Sequence, residues 1–433
     1  MRRWMVIVAL LAASHLATAQ KISDYTLHIS KIGQEAANLH VVCSFGVDFQ
    51  GADSISMYFG GGQEFSIDNL KMHDDGYEYT YDYAQKKIVL RRKDDRTVRV
   101  GMDYDYTNLS AFFIYGEGDA ELWETSFGEY FYPYVPNTCM DVAIEVETPD
   151  LLSFLCSYPL AANSATRYSG TLRHILSQSL TLAFLRTDAY QRTEAELPGE
   201  VSVYQIKGMQ CGRERYDELL ELTGASIAFF SEVYGEDYIS AERNVTALPA
   251  YLFHNGKGFS NRYNIGFISA SQEKFSTSPD IYPLVHEIGH RWLGEWTLLI
   301  DDGEPGAYFI KESLNEFMTL LFIRHFYGPD TYEKQLDWCR SEYGKIKGTP
   351  QDEPIVDVVV NNNNTVVYRK GPLVLDRMAK EIGYDELAGI IAGFYREYAG
   401  KYPLKYTDFI DMVNASHAGA GDTLRQLLTA KSL

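Results

Sequence analysis

Positive charge is what this chain has least of: 39 Lys and Arg stand against 59 Asp and Glu, a formal net charge of −20 at pH 7. Nucleic acids and anionic membrane surfaces are bound through clustered Lys and Arg. The run Arg91-Arg92-Lys93 is followed at once by Asp94-Asp95 and reads as a solvated loop, so neither partner is expected. Cysteine is scarce as well. Cys43, Cys139, Cys156, Cys211 and Cys339 are scattered without a C-x-x-C pair, which excludes the spacing of a structural zinc site. Their odd number leaves at least one unpaired within the chain and says nothing about the others. No apolar run reaches the roughly 20 residues of a membrane-spanning helix. No internal repeat is present, and the Asn361–Asn364 run is a short polar loop.

What is present suffices for large cores. The chain has 433 residues, 45% hydrophobic and 14% aromatic, enough for two or three domains. Residues 1–19 have the pattern of a cleavable export signal. Arg2 and Arg3 precede the apolar Met5–Ala13, and Ala17-Thr18-Ala19 supplies small residues for cleavage. The expected mature chain starts at Gln20, is secreted or periplasmic, and has no stable membrane insertion.

From Tyr25 to Tyr204, short runs rich in Val, Ile, Tyr, Phe and Thr alternate with turn clusters such as Gly60-Gly61-Gly62, Asp74-Asp75-Gly76 and Asn137-Thr138. Lys87–Leu90, Val142–Val146 and Ser179–Leu185 are examples, and strands at this spacing predict an antiparallel β-sandwich over residues 20–205. The character changes near Leu197-Pro198-Gly199. A strand, Val201–Ile206, leads into a helix over Glu214–Tyr234 with Leu219, Leu220, Leu222, Ile227, Phe230 and Val233 as its apolar stripe. The domain boundary is placed near residue 205. Residues 206–433 read as mainly helical, with helices over Ile281–Leu293, Glu312–Tyr327, Leu373–Ile382, Leu387–Tyr398 and Tyr406–Ala415.

The strongest chemical signal is His286-Glu287-Ile288-Gly289-His290. Histidines four apart on a helix differ by about 40° around its axis, so both imidazoles project from one face and can share a tetrahedral zinc ion. Glu287 lies on the flank of that face, where a carboxylate can act on water without ligating. Ser278-Pro279-Asp280 marks a helix start, and Ile281, Leu284, Val285 and Ile288 give the helix a buried side. Two core histidines without a metal would leave Glu287 buried with no charge partner, which is costly. A catalytic zinc keeps three protein ligands and one open position. The third is sought in the helix beginning near Phe309, where Glu312 and Glu316 are four apart: one could ligate while the other orients a histidine.

The stretch His286–Gly294, H-E-I-G-H-R-W-L-G, resembles the H-E-x-x-H-x-W-x-G of the aminopeptidase N family within the gluzincins, which includes the leukotriene hydrolase-type enzymes. Glu312–Phe317, E-S-L-N-E-F, resembles that family's third-ligand segment, and the resemblance assigns the ligand to Glu312. Tyr368-Arg369-Lys370-Gly371 resembles its Y-x-K-G segment, implying that Tyr368 supports the transition state. Phe131-Tyr132-Pro133-Tyr134 resembles part of its amino-terminal sandwich domain. The fold implied is α+β and multidomain, an antiparallel β-sandwich followed by a thermolysin-like, mainly helical catalytic domain. The activity implied is zinc-dependent hydrolysis of peptide bonds in peptide or protein substrates. Two alternatives stand beside it: a non-catalytic zinc-binding protein, and a hydrolase of a small non-peptide substrate.

The departures are informative. Twenty-one residues separate His290 from Glu312, more than is usual in the family, with the extra length assigned to a turn around Asp301–Gly306. Ser313 replaces a customary glycine and Glu295 a customary asparagine, and the resemblance does not extend to a large carboxy-terminal helical domain. The family reads the substrate's free amine with the glutamate of a G-A-M-E-N segment. Here the matching stretch is Ser260–Phe267, in which Asn264 and Gly266 match but Tyr263 takes the glutamate's place. Tyr263, Asn264 and Gly266 are the candidate substrate-binding residues, with Ile265–Ala270 expected as an edge strand able to pair with an extended peptide. Altered amino-terminal recognition is expected, unless Glu273 or an acid of the sandwich domain supplies the amine contact.

Overall fold

A computed structural model describes residues 21–31, 38–61, 65–73, 76–93, 97–108, 114–115, 122–124, 131–195, 201–208, 211–254, 261–278, 282–294, 296–301, 303–359 and 363–433. The expected export signal lies outside them, as do Leu197-Pro198-Gly199, Pro279-Asp280, Glu295 and Asn361. By internal packing the chain divides into two compact units, Met1–Arg186 and Thr187–Leu433.

In the first unit the strands run β1 (Lys21–Lys31), β2 (Asn38–Asp48), β3 (Ser54–Tyr58), β4 (Phe65–His73), β5 (Tyr77–Asp82), β6 (Lys87–Arg92) and β7 (Val98–Asn108). They continue with β8 (Ile114–Tyr115), β9 (Leu122–Glu124), β10 (Cys139–Glu147), β11 (Leu152–Cys156), β12 (Ala161–Ala162), β13 (Arg167–Leu176) and β14 (Leu182–Arg186). Three sheets result, ordered β12-β13-β10-β1-β2-β7-β4, β11-β14-β9-β8 and β3-β6-β5. The large sheet is antiparallel apart from one parallel pair, β1 with β10. Alternation fixes which face is buried: in β10, Met140, Val142, Ile144 and Val146 point inward and the residues between them outward. Leu39, Val41, Cys43 and Phe45 of β2 lie directly opposite Tyr106, Tyr104, Met102 and Val100 of β7, all of them buried. The run expected as a strand from Ser179 pairs only from Leu182. Before it, the Ser179 N–H donates to Leu176 O and the Thr181 N–H to Ser157 Oγ, so those residues serve a turn. All five cysteines are free thiols.

The second unit opens with β15 (Tyr190–Ala195), β16 (Val201–Ile206), β17 (Ala250–His254), β18 (Arg262–Asn264) and β19 (Phe267–Ser271), arranged β15-β16-β17-β19-β18. Val201–Ile206 pairs with β15 and β17 and so belongs to this sheet, and the chain divides earlier than the boundary near residue 205 expected from composition. The expected edge strand also moves. β19 is interior, flanked by β17 and β18, and the edge is β18. Gly266, at φ 87°, makes the turn between β18 and β19 and interrupts the run that the sequence presents as continuous.

Helices follow: α1 (Arg213–Tyr234), α2 (Gln272–Thr277), α3 (Tyr282–Gly289), α4 (Leu314–Tyr327), α5 (Pro329–Ile346), α6 (Gly371–Ile382), α7 (Tyr384–Tyr398), α8 (Tyr406–Ser416) and α9 (Ala420–Thr429). The buried stripe of α1 is Leu219, Leu222, Ser226, Phe230 and Tyr234, whereas Leu220, Ile227 and Val233 are only partly covered. No helix among the described residues is long and apolar enough to cross a membrane.

Candidate metal centre

The histidine motif lies on α3, where every residue from Leu284 to Gly289 is buried. The helix ends at Gly289, four residues short of the expected end: the N–H groups of His290, Arg291 and Trp292 turn to the carbonyls three residues back, Glu287 O, Ile288 O and Gly289 O. A Cβ on Gly289 would collide with the Asn315 side chain, whose Nδ2 donates to His286 O at 2.8 Å. His290 follows in a turn, its N–H shared between His286 O at 3.3 Å and Glu287 O at 3.2 Å. Beyond it, Trp292 is fully buried and stacked on Tyr234, and Arg291 donates to Tyr238 O and to Glu236 Oε1, both at 2.9 Å. The motif is therefore held at both ends, by α4 and by the segment after α1.

The acidic pair does not sit on an ordinary helix start. Phe309–Ser313 is a single π-helical turn, in which the Leu314 N–H reaches back five residues to Phe309 O. A second π turn, Val366–Lys370, precedes α6, with the Gly371 N–H donating to Val366 O. Such turns carry an extra residue and recur at functional sites. The two pack together: Ser313 Oγ donates to Val367 O at 2.7 Å, and a Cβ on Gly371 would collide with that hydroxyl.

The first of these turns brings the Glu312 carboxylate to the two imidazoles. Glu312 Oε2 lies 3.3 Å from His286 Nε2 and 3.4 Å from His290 Nε2, and the three donor atoms lie within 4.8 Å of one another. Zinc bound tetrahedrally at about 2.0–2.1 Å separates its ligands by about 3.3 Å, so the spacing fits the ion. The other ring nitrogens face away from the cluster. His290 Nδ1 lies 3.1 Å from Leu293 O and His286 Nδ1 2.8 Å from Glu316 Oε2, an arrangement that directs both Nε2 lone pairs inward. Glu316 Oε1 in turn accepts from Arg369 at 3.1 Å, and the Arg369 guanidinium lies 3.9 Å over the Trp338 ring. Burial works against the charged form of His286, but the Glu312 and Glu316 carboxylates outweigh it and push its pKa up to about 10. Burial opposes ionisation of Glu312 too, and the two imidazoles outweigh it, holding that carboxyl well below its usual range.

Glu287 is buried beside the cluster. Burial raises its pKa while His290 and His286 pull it down, and it accepts a hydrogen bond from the Tyr263 backbone N–H. Tyr368 lies across from the helix, its ring centroid 5.7 Å from that of His286 and its hydroxyl hydrogen-bonded to Glu312. On the sheet side, Tyr263 and Asn264 are buried in β18. The Tyr263 phenol turns toward Tyr238, 3.4 Å away, and the Asn264 side chain meets no hydrogen-bond partner among the described residues. Glu273 is exposed on α2.

Sequence reasoning named the ligand candidates but passed over Asn315, Ser313 as a packing residue, Arg369 and Lys370. Asn315 carried a signal, since it lies three residues after Glu312 and adjoins Glu316 on the same helical segment. The contacts of Ser313 and Lys370 join residues 17 to 61 positions apart in sequence, most of them through backbone carbonyls, and local spacing holds no trace of them.

No family model matches the chain, and no curated protein matches its sequence. Solved structures do match its fold. The M1 zinc metallopeptidase of Deinococcus radiodurans superposes with a TM-score of 0.68 at 14% identity, covering 96% of this chain and 94% of that one. A mutant of the same enzyme bound to a Tyr-Ser-Ala substrate gives 0.69 at 15%, over 96% and 95%. Native yeast leukotriene A4 hydrolase gives 0.72 at 11%, over 96% of this chain and 68% of that one. The chain thus has the fold of the M1 zinc metallopeptidases, a strand-rich amino-terminal part followed by a helical part.

Proposed function

We propose that the protein is an exported, zinc-dependent hydrolase of peptide bonds, related to aminopeptidases but altered in how it treats the substrate's amino terminus. The observation that carries this is the convergence of His286 Nε2, His290 Nε2 and Glu312 Oε2 within 4.8 Å, with Glu287 beside His286 on α3 and His290 in the turn that follows the helix. His286, His290 and Glu312 would hold the ion and Glu316 would orient His286. Zinc in such a site polarises a carbonyl and acidifies a water. Glu287 accepts that water's proton and delivers it to the leaving amine, a task suited to a carboxylate whose pKa is raised by burial. Tyr368, whose hydroxyl already reaches Glu312, donates a hydrogen bond to the oxygen on which charge develops.

Amino-terminal recognition is the part of the reading that departs from the aminopeptidases. Where they place a glutamate, this chain has Tyr263, whose phenol is engaged with Tyr238, and Arg291 lowers its pKa against the rise that burial imposes. An ammonium brought there would meet a phenol backed by a guanidinium in place of a carboxylate, and an unpaired buried charge is costly. The substrate's backbone can still be read, because β18 forms the sheet edge and the Tyr263 N–H already points at Glu287. Export is supported by the pattern of residues 1–19.

Matched peptides with free and acetylated amino termini test the reading. Cleavage of the acetylated set at rates comparable to the free set is expected. Sequential removal of single residues from free-amine peptides alone would make the protein an ordinary aminopeptidase, and no turnover of any peptide by the zinc-loaded protein would overturn hydrolysis altogether.

A further inference from the structure

Two residues beyond Tyr368 lies a buried cation that the proposed chemistry does not use. The side chains of Lys370 and Asp352 are both fully inaccessible to solvent, and Lys370 Nζ lies 3.2 Å from Asp352 Oδ1. The same ammonium donates to Glu353 O at 2.8 Å, Ala430 O at 3.0 Å and Lys431 O at 2.7 Å. Asp352 accepts from the Tyr343 hydroxyl at 3.1 Å, from the Gly348 N–H at 2.9 Å and from Ser432 Oγ at 2.5 Å. The Tyr343 hydroxyl itself accepts from the Leu433 N–H at 3.0 Å. One ion pair thus ties together α5, the loop after it, the π turn 366–370 and the segment after α9.

Taking two charges out of water is costly, and well-packed apolar residues often serve stability as well or better. What an ammonium with four oxygen partners adds is a fixed position for the backbone that carries it. That backbone is the turn bearing Tyr368 beside His286 and Arg369 on Glu316, which in turn faces His286 Nδ1. We propose that residues 430–433 form a latch, closed on Lys370 and Asp352, that sets the position of Tyr368 and Arg369 against the metal-ligand cluster. Lys370 is then a positioning residue for the hydrolytic site, and the segment after α9 is part of its machinery. Only the catalytic readout of this latch rests on the hydrolase reading.

The test compares the full chain with Lys370→Met, with Asp352→Asn/Lys370→Met and with a chain lacking residues 430–433, each loaded with zinc. In Lys370→Met and the shortened chain, kcat should fall about 10- to 100-fold, the scale of a misplaced catalytic group, with KM and zinc content near those of the full chain. The double variant, which removes both buried charges, should recover melting temperature lost in Lys370→Met but not kcat, because the carbonyls of residues 430 and 431 still lack their donor. A fluorotryptophan resonance of Trp338, assigned with Trp338→Phe, reads the Arg369 position without any turnover. Its shift in Lys370→Met and the shortened chain supports the latch even if the full chain cuts no peptide. An unshifted Trp338 resonance in both, or an unchanged kcat per folded molecule in an active protein, overturns it.

Discussion

On its helical side the candidate site is fastened by a connected set of groups. His290 is set against Leu293 O, His286 against Glu316, Glu316 against Arg369, and α3 itself against Asn315. On its strand side, Asn264 is fully buried and neither its Oδ1 nor its Nδ2 meets a partner among the described residues, although the Tyr263 N–H beside it reaches Glu287. The contrast matches two kinds of ligand. A metal ion needs donors held before it arrives, and here the far nitrogens of both imidazoles face groups of the fold, Leu293 O and the Glu316 carboxylate, although Asn315 Oδ1 and Arg291 Nη1 nearby meet no partner among the described residues. A substrate comes and goes, and a polar group kept for it has no partner in the free protein, as the buried Asn264 amide has none among the described residues, at some cost to stability.

The comparison breaks most sharply at the helical side. His286→Ala or His290→Ala should abolish zinc binding by elemental analysis, and all peptide turnover with it. Glu287→Gln should keep the zinc and lower kcat by about 10²- to 10⁴-fold, the range for a general base. Tyr368→Phe should follow at about 10²- to 10³-fold in kcat with little change in KM. Zinc-replete Glu287→Gln with near-normal kcat would remove Glu287 from its role.

The two acids separate next. Glu312→Ala deletes the oxygen that faces both Nε2 atoms and should weaken zinc severely in a competitive chelator titration. Glu316→Ala loosens only the orientation of His286 and should cost about 10- to 100-fold in affinity. The reverse order would transfer the ligand to Glu316.

A packing change between the π turns gives a smaller effect. Gly371→Ala places a Cβ against Ser313 Oγ and should destabilise by about 1–3 kcal/mol in denaturant unfolding. Ser313→Gly in the same chain removes the obstacle, and the double variant should recover most of the loss, a coupling of about 0.5–3 kcal/mol. Additive effects would show that the two turns yield independently.

Much of this was legible from residues whose partners lie one helical turn away. His286 and His290 announce themselves by spacing, α1 by its stripe, and β10 by strict alternation. What escaped has a common physical cause. The edge position of β18 depends on which strand β19 pairs with across the sheet, and both the end of α3 and the π turns show only in backbone hydrogen bonds. Helix α5 exposes a mostly charged surface and buries only Tyr332, Leu336, Cys339 and Tyr343, too thin a stripe to stand out. The family resemblance supplied Glu312 over Glu316, which helical spacing alone left open.

The smallest expected effect concerns the strand side. Asn264→Leu exchanges an amide for an apolar group of similar size, with no hydrogen bond in the free protein to lose among the described residues. Leaving a buried polar group unsatisfied costs about 1–3 kcal/mol, so the substitution should leave stability unchanged or raise it by about 1 kcal/mol in denaturant unfolding. Substrate binding should move the other way. If the amide waits for the backbone of an extended peptide lying along β18, its removal takes away an interaction present in both ground and transition states, which raises KM and spares kcat. Asn315→Leu supplies the contrast, since that amide holds His286 O at 2.8 Å, and its loss should destabilise the fold and loosen zinc. Asn264→Leu that unfolds more easily while keeping a normal KM would mean its amide serves the fold, and the distinction between the two sides of the site would fall.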